Sequence, residues 1–207
     1  MPDERPLALM FRGAAVRALV VGAGPVGVRR ARTLLEAGAS VRVVALQVSD
    51  ELSSDCEVHR RAFAPADLDG RTLAIAATDA ADVNEAVLSG CRERGIPCCR
   101  ADDAAKGDFT FPATADEGGI AIAIRAGSPA MSRRALTAAR EAVRPHAAHA
   151  AAVAELRPQV LAATTDPEQR RAALADASSE EAAEVVRSDG LGGLRSWLWQ
   201  RHSLLES

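Results

Sequence analysis

The 207-residue chain contains no tyrosine and a single lysine, Lys106. The first absence excludes the Tyr-x-x-x-Lys pair that serves short-chain dehydrogenases. The second leaves arginine as nearly the whole basic complement, an excess that carries no functional weight by itself. No apolar run is long enough to span a bilayer. Residues 1–13 (MPDERPLALMFRG) carry early acidic residues and no sustained apolar core, so they do not read as a signal peptide. A formal net charge of -3 gives no reason to expect nucleic acid or an anionic membrane surface as a partner. The chain is therefore expected to be soluble and cytoplasmic. Cysteine is scarce too: Cys56, Cys91, Cys98 and Cys99 form no C-x-x-C pair, and in a reducing compartment they are expected as buried small apolar side chains. No metal site is read from them.

What is present is organised around Val16 to Val28, VRALVVGAGPVGV. Val16, Leu19, Val20 and Val21 make an apolar run of buried-strand length that stops at Gly22, and a helical pattern resumes at Pro25. Strand, glycine turn and helix start thus frame the match Gly22-x-Gly24-x-x-Gly27. The three glycines do different things. Gly22 permits the tight turn, Gly24 lets backbone N–H groups approach a pyrophosphate, and Gly27 lets helix and strand pack closely. The helix start adds unpaired N–H groups and a partial positive charge, which suits a dinucleotide phosphate.

Alternating strands and helices follow, the pattern of a parallel α/β sheet. Val28, Ala31, Leu34 and Leu35 recur at helical spacing up to a capping Gly38, and Ser40 to Leu46 is the next β-branched run. At the end of that strand a dinucleotide fold usually offers Asp or Glu to the ribose, about twenty residues past the glycines. Here Ala45, Leu46 and Gln47 stand instead, which leaves NAD or NADP open. Gln47 is placed to bond a ribose hydroxyl, and Arg42 is a candidate for a 2′-phosphate unless strand alternation turns it outward. Val58–Phe63, Thr72–Ala77 and Ile96–Ala101 read as further strands, with a helix over Ala80–Arg94 stopped by Gly95. The last of these strands delivers Asp102 and Asp103 to the carboxyl edge, where open α/β sheets bind ligands.

Past Pro112 the rhythm is lost. Gly119–Ile124 reads as a strand, and Ser128-Pro129 opens a helix to about Val143. Ala147–Ser207 reads as a small helical domain with breaks at Pro158, Asp166-Pro167, Ser178-Ser179 and Gly190–Gly193. His146 and His149, three residues apart, read as an ordinary surface pair, with no third ligand for a metal.

Five segments in this order resemble the precorrin-2 dehydrogenase / sirohydrochlorin ferrochelatase family: Pro6-Leu7 to Arg12-Gly13, VVGAGPVGVRRARTLLEAGA, IAATDAADVNEAV, ADDAAKGDFTFPA and GSPAMSRR. The resemblance covers about the first 145 residues. It implies a Rossmann-like dinucleotide domain over 1–111, an α+β dimerisation segment over 112–145 and a helical domain over 146–207. It implies NAD as cofactor, precorrin-2 and sirohydrochlorin as tetrapyrrole partners, in some members ferrous iron, and a homodimer. Gly22, Gly24, Pro25, Val26, Gly27, Gln47, Thr78 and Asp79 are then expected at the cofactor. The family's key aspartate aligns with Asp102, with Asp103 as a possible substitute. Arg125, Ser128, Arg133 and Arg134 are candidates for the substrate's carboxylates, which arginine binds in a bidentate manner. Two other readings stay open: a nucleotide- or tetrapyrrole-sensing module without turnover, and another small NAD(P)-dependent oxidoreductase.

Overall fold

A computed structural model describes residues 6–48, 52 and 55–204; residues 1–5 of the lead-in and 205–207 of the helical tail lie outside the described residues. The chain divides into two compact units, Met1–Phe111 and Pro112–Ser207.

In the first unit, β1 (Arg17–Val21), β2 (Ser40–Val44), β3 (Glu57–His59), β4 (Leu73–Ala76) and β5 (Cys98–Arg100) form one parallel sheet in the order β3-β2-β1-β4-β5. β1 is central because both its faces are apolar. Ala18 and Val20 pack with Ala31 and Leu34 of α1 (Pro25–Glu36), while Leu19 and Val21 pack with Val87, Leu88 and Cys91 of α2 (Ala81–Glu93). Each fully buried Leu or Val contributes about 1.5–3 kcal/mol. All four cysteines are buried, as expected of small apolar side chains. Gly38 and Gly95, both at positive φ, end α1 and α2: Gly38 N–H donates to Leu35 O and Gly95 N–H to Arg92 O. The sheet order reverses between β1 and β4, which opens a crevice at the carboxyl ends of the strands.

The third strand is shorter than the sequence suggests. Arg61 N–H donates to His59 O, and the chain turns away into a short 3-10 turn at Pro65–Leu68.

In the second unit, β6 (Ala113–Glu117) and β7 (Ile120–Ile124) form an antiparallel hairpin against which α3 (Pro129–Val143) packs. The strand expected at Gly119–Ile124 is β7; its partner β6 was not expected. Helices α4 (Ala147–Ala163), α5 (Pro167–Ala177) and α6 (Glu180–His202) enclose a core of Leu156, Val160, Ala173, Leu194, Leu198 and Trp199. Asp166 and Ser179 cap α5 and α6 by accepting from Glu168 N–H and Ala182 N–H, and Gly190 (φ 65°) interrupts α6. Pro158 does not break the chain as expected. It lies within α4 on an exposed turn, and the Ala154 carbonyl that it leaves without a donor is on an exposed residue too. No helix among the described residues is long and apolar enough to cross a membrane.

Candidate functional site

Gly22 has φ +104°, and a Cβ there would stand 2.3 Å from the Ala77 carbonyl oxygen, so the turn after β1 closes only around glycine. A Cβ on Gly27 would stand 2.1 Å from Gly22 O, which is the close helix–strand approach expected of that position. Gly24 differs: a Cβ there would meet no atom of the described residues within 4 Å. Its empty side faces the crevice, and it immediately precedes the first turn of α1, where N–H groups are unpaired.

The crevice has a volume of about 630 Å³. It brings together Gly22, Gly24, Pro25, Gln47, Thr78 and Asp79 of the expected cofactor residues. Gly27 packs beneath them, and Val26, partly exposed, does not line the space. This open glycine-lined floor at a helix start fits the pyrophosphate of a dinucleotide. No signal in the sequence singled out Arg61, Ala62 and Phe63 as site residues, yet they also line the crevice. Arg42 is absent from it, because Arg42 Nε donates to Glu57 Oε2 at 2.8 Å across β2 and β3.

Thr78 is fixed by Asn84, which is fully buried in α2. The Thr78 N–H and hydroxyl donate to Asn84 Oδ1 at 3.1 and 2.8 Å, and Asn84 Nδ2 donates to Thr78 O at 2.9 Å. Asp102 stands beyond this clasp, past the end of β5. Arg100 Nε and Nη2 donate to its two oxygens at 3.0 and 2.5 Å, and Arg100 Nη1 donates to Glu85 Oε2 at 2.5 Å. The Arg100 guanidinium, with a smaller contribution from Asn84, holds the Asp102 carboxyl down at about 2. The same two carboxylates push the Arg100 guanidinium further up. Asp103 instead accepts from Ala105 N–H at 3.2 Å and pairs with Lys106 at 3.3 Å. The loop that carries both acids is pinned at its base, where Asp108 N–H donates to Cys98 O and Cys98 N–H to Asp108 Oδ2.

The remaining candidates belong to the second unit. Ser128 accepts from Met131 N–H as the N-cap of α3, and Arg125, Arg133 and Arg134 are exposed around that helix start. His149 Nε2 hydrogen-bonds Ala177 O at 2.7 Å, which gives it a structural partner.

A parallel sheet with a reversal point, a glycine turn and an open crevice defines a dinucleotide-binding domain of the Rossmann class. The chain belongs to the family described as "Putative NAD(P)-binding", whose profile matches residues 9–113. It is 38% identical over 175 residues to a siroheme synthase of Pseudomonas fluorescens (strain SBW25), covering 81% of this chain and 37% of the relative. A siroheme synthase of Chromobacterium violaceum is 41% identical over 124 residues, 56% of this chain and 26% of that one. The chain thus spans well under half the length of these relatives. Among solved structures, "SirC, precorrin-2 dehydrogenase" matches with a TM-score of 0.75 at 19% identity, covering 94% of this chain and all of that one, a likeness of fold. The identity to siroheme synthases bears out the resemblance read from the five segments, and the likeness to SirC bears out the fold it implied.

Proposed function

We propose that the chain oxidises precorrin-2 to sirohydrochlorin with NAD, a step of siroheme synthesis. The observation that carries the reading is a carboxylate pair, Asp102 and Asp103, just past the end of β5, the strand paired with β4, whose own end leads into the crevice at Ala77–Ala80, in a relative of siroheme synthases. Bound in the crevice, the nicotinamide supplies the hydride acceptor. The oxidation removes one hydride and one proton from the macrocycle. Asp102, held ionised by Arg100, stabilises positive charge that develops as the hydride leaves. It also accepts the departing proton; Asp103, paired with Lys106, is the alternative acceptor. Arg125, Arg133, Arg134 and the start of α3 meet the carboxylates of the tetrapyrrole. Residues 112–145 pair two chains into a homodimer. Ferrous iron is a second substrate in this reading, and its insertion releases two pyrrole protons to the same acids.

The test is anaerobic incubation of the protein with precorrin-2 and NAD, following the absorbance of sirohydrochlorin and then adding ferrous iron. Sirohydrochlorin formation supports the dehydrogenase, and enzyme-dependent siroheme formation supports the chelatase. Binding of NAD or tetrapyrrole without turnover favours the sensing module instead, a reading that the clamp on Asp102 also suits, since a carboxyl held near 2 is a weak base. Sedimentation of the purified chain tests the homodimer.

A further inference from the structure

We propose that the adenosine end of the crevice accepts a 2′-phosphate, with Arg61 as the residue that meets it, so that the chain takes NADP as well as NAD. The inference rests on the reading of the crevice as a dinucleotide site and adds a specificity residue to it.

In a dinucleotide fold the ribose that bears the 2′-hydroxyl lies over the end of the second strand. An acid there selects NAD, and a nearby arginine accommodates the phosphate of NADP. Both halves of that rule point the same way here. The end of β2 supplies Ala45, Leu46 and Gln47, none of them acidic, and all three line the crevice. Arg61 lines the same crevice from the end of β3, the strand beside β2. Ala45 N–H donates to His59 O, so the two chain ends are tied together two residues before Arg61.

The guanidinium is held ready rather than free. Its Nη1 and Nη2 donate to the two oxygens of buried Asp67 at 2.7 and 2.5 Å. Nη1 also donates to Ala62 O, and Nη2 lies 3.1 Å from His59 Nδ1. An arginine cannot accept, so His59 Nδ1 is the acceptor, and the ring proton sits on Nε2, which donates to Glu57 Oε1 at 2.7 Å. These bonds use all four terminal N–H groups of Arg61. Nε–H is left as its donor without a partner among the described residues, on a side chain that is 45% exposed. A phosphate gains one charge-assisted bond and the field of a guanidinium that Asp67 partly neutralises. The expected result is therefore acceptance of NADP beside NAD rather than exclusion of NAD.

Fluorescence titration of the full chain with NADH and with NADPH tests this without any turnover. The wild-type chain is expected to bind both with dissociation constants within about threefold of each other. Arg61→Gln should weaken NADPH about tenfold, the loss of one charged hydrogen bond, and change NADH less than about twofold. Asp67→Asn, which removes the competing carboxylate, should shift preference toward NADPH; melting curves of both variants check that they fold. Wild-type binding of NADPH more than about tenfold weaker than that of NADH overturns the proposal and leaves the NAD site standing. Equal losses for both dinucleotides in Arg61→Gln overturn it too. Binding of neither dinucleotide to the wild-type chain sinks the crevice reading itself, and this proposal with it.

Discussion

Arg100 grips both oxygens of Asp102, at 3.0 and 2.5 Å, from a guanidinium that is only 3% exposed. The pair fixes where the loop after β5 begins, and it makes the charge on Asp102 part of the fold's stability. Asp102 sits at about 2 in the folded chain, against about 3.9 for a free aspartate. A lowered carboxyl stabilises the fold above the unfolded value and loses that contribution as pH falls through the folded one. Melting temperatures of wild type and Asp102→Asn should therefore differ most above about pH 4 and converge toward pH 2. A constant gap across that range would mean that the ion pair contributes nothing.

The two neighbouring acids are separable by turnover. Asp102→Asn is expected to abolish sirohydrochlorin formation while NADH binding is kept, and Asp103→Asn to retain turnover. The reverse pattern, measured anaerobically with precorrin-2, would move the proton acceptor to Asp103 and leave Asp102 as an anchor for Arg100.

Two glycines of the fingerprint should fail in opposite ways. Gly27→Ala drives a Cβ against the Gly22 carbonyl and is expected to cost about 1–3 kcal/mol, read as a lowered melting temperature. Gly24→Asp has open space, so its melting temperature should hold, while its bulk and charge in the crevice weaken NADH binding at least about tenfold. Normal affinity in a folded Gly24→Asp chain would remove the pyrophosphate from this turn.

Asn84→Ala deletes the clasp on Thr78 and leaves a buried gap. A loss of about 2 kcal/mol or more in stability is expected, together with weaker NADH binding, because Thr78 lines the crevice. Denaturant titration and NADH fluorescence measure the two effects on one preparation.

Pro158→Ala restores an N–H to the interior of α4 at an exposed position. The variant is expected to raise the melting temperature of the second unit, since proline within a helix costs about 3 kcal/mol before unfolded-state entropy offsets part of it. A lower melting temperature would show that the proline's rigidity outweighs the missing bond.

The first unit was readable because its signals are local. Val16–Val21, the glycines and the capping Gly38 and Gly95 each state their element within a few residues. β6 escaped because Ala113–Glu117 has two alanines and two acids, a composition poor in strand formers, and becomes a strand only through pairing with Ile120–Ile124. Pro158 misled for a related reason: packing of Leu156 and Val160 in the helical core carries α4 past it. At the site, the glycine floor was legible, but Arg61 was not. Nothing local distinguishes it from Arg60, and only the turn after His59 brings it to the crevice. Arg42, the basic residue that strand position did suggest, is taken up by Glu57, a partner fifteen residues away.

The three fingerprint glycines also answer to different masters over evolutionary time. Gly22 and Gly27 are required by backbone atoms of the fold itself, whereas Gly24 is bounded by empty space. A descendant that no longer carried a nucleotide would have to keep the first and third and would be free to drift at the second. Retention of Gly22 and Gly27 in such a descendant would then testify only to the fold, and the residue at position 24 is the one that would record whether the crevice is still in use.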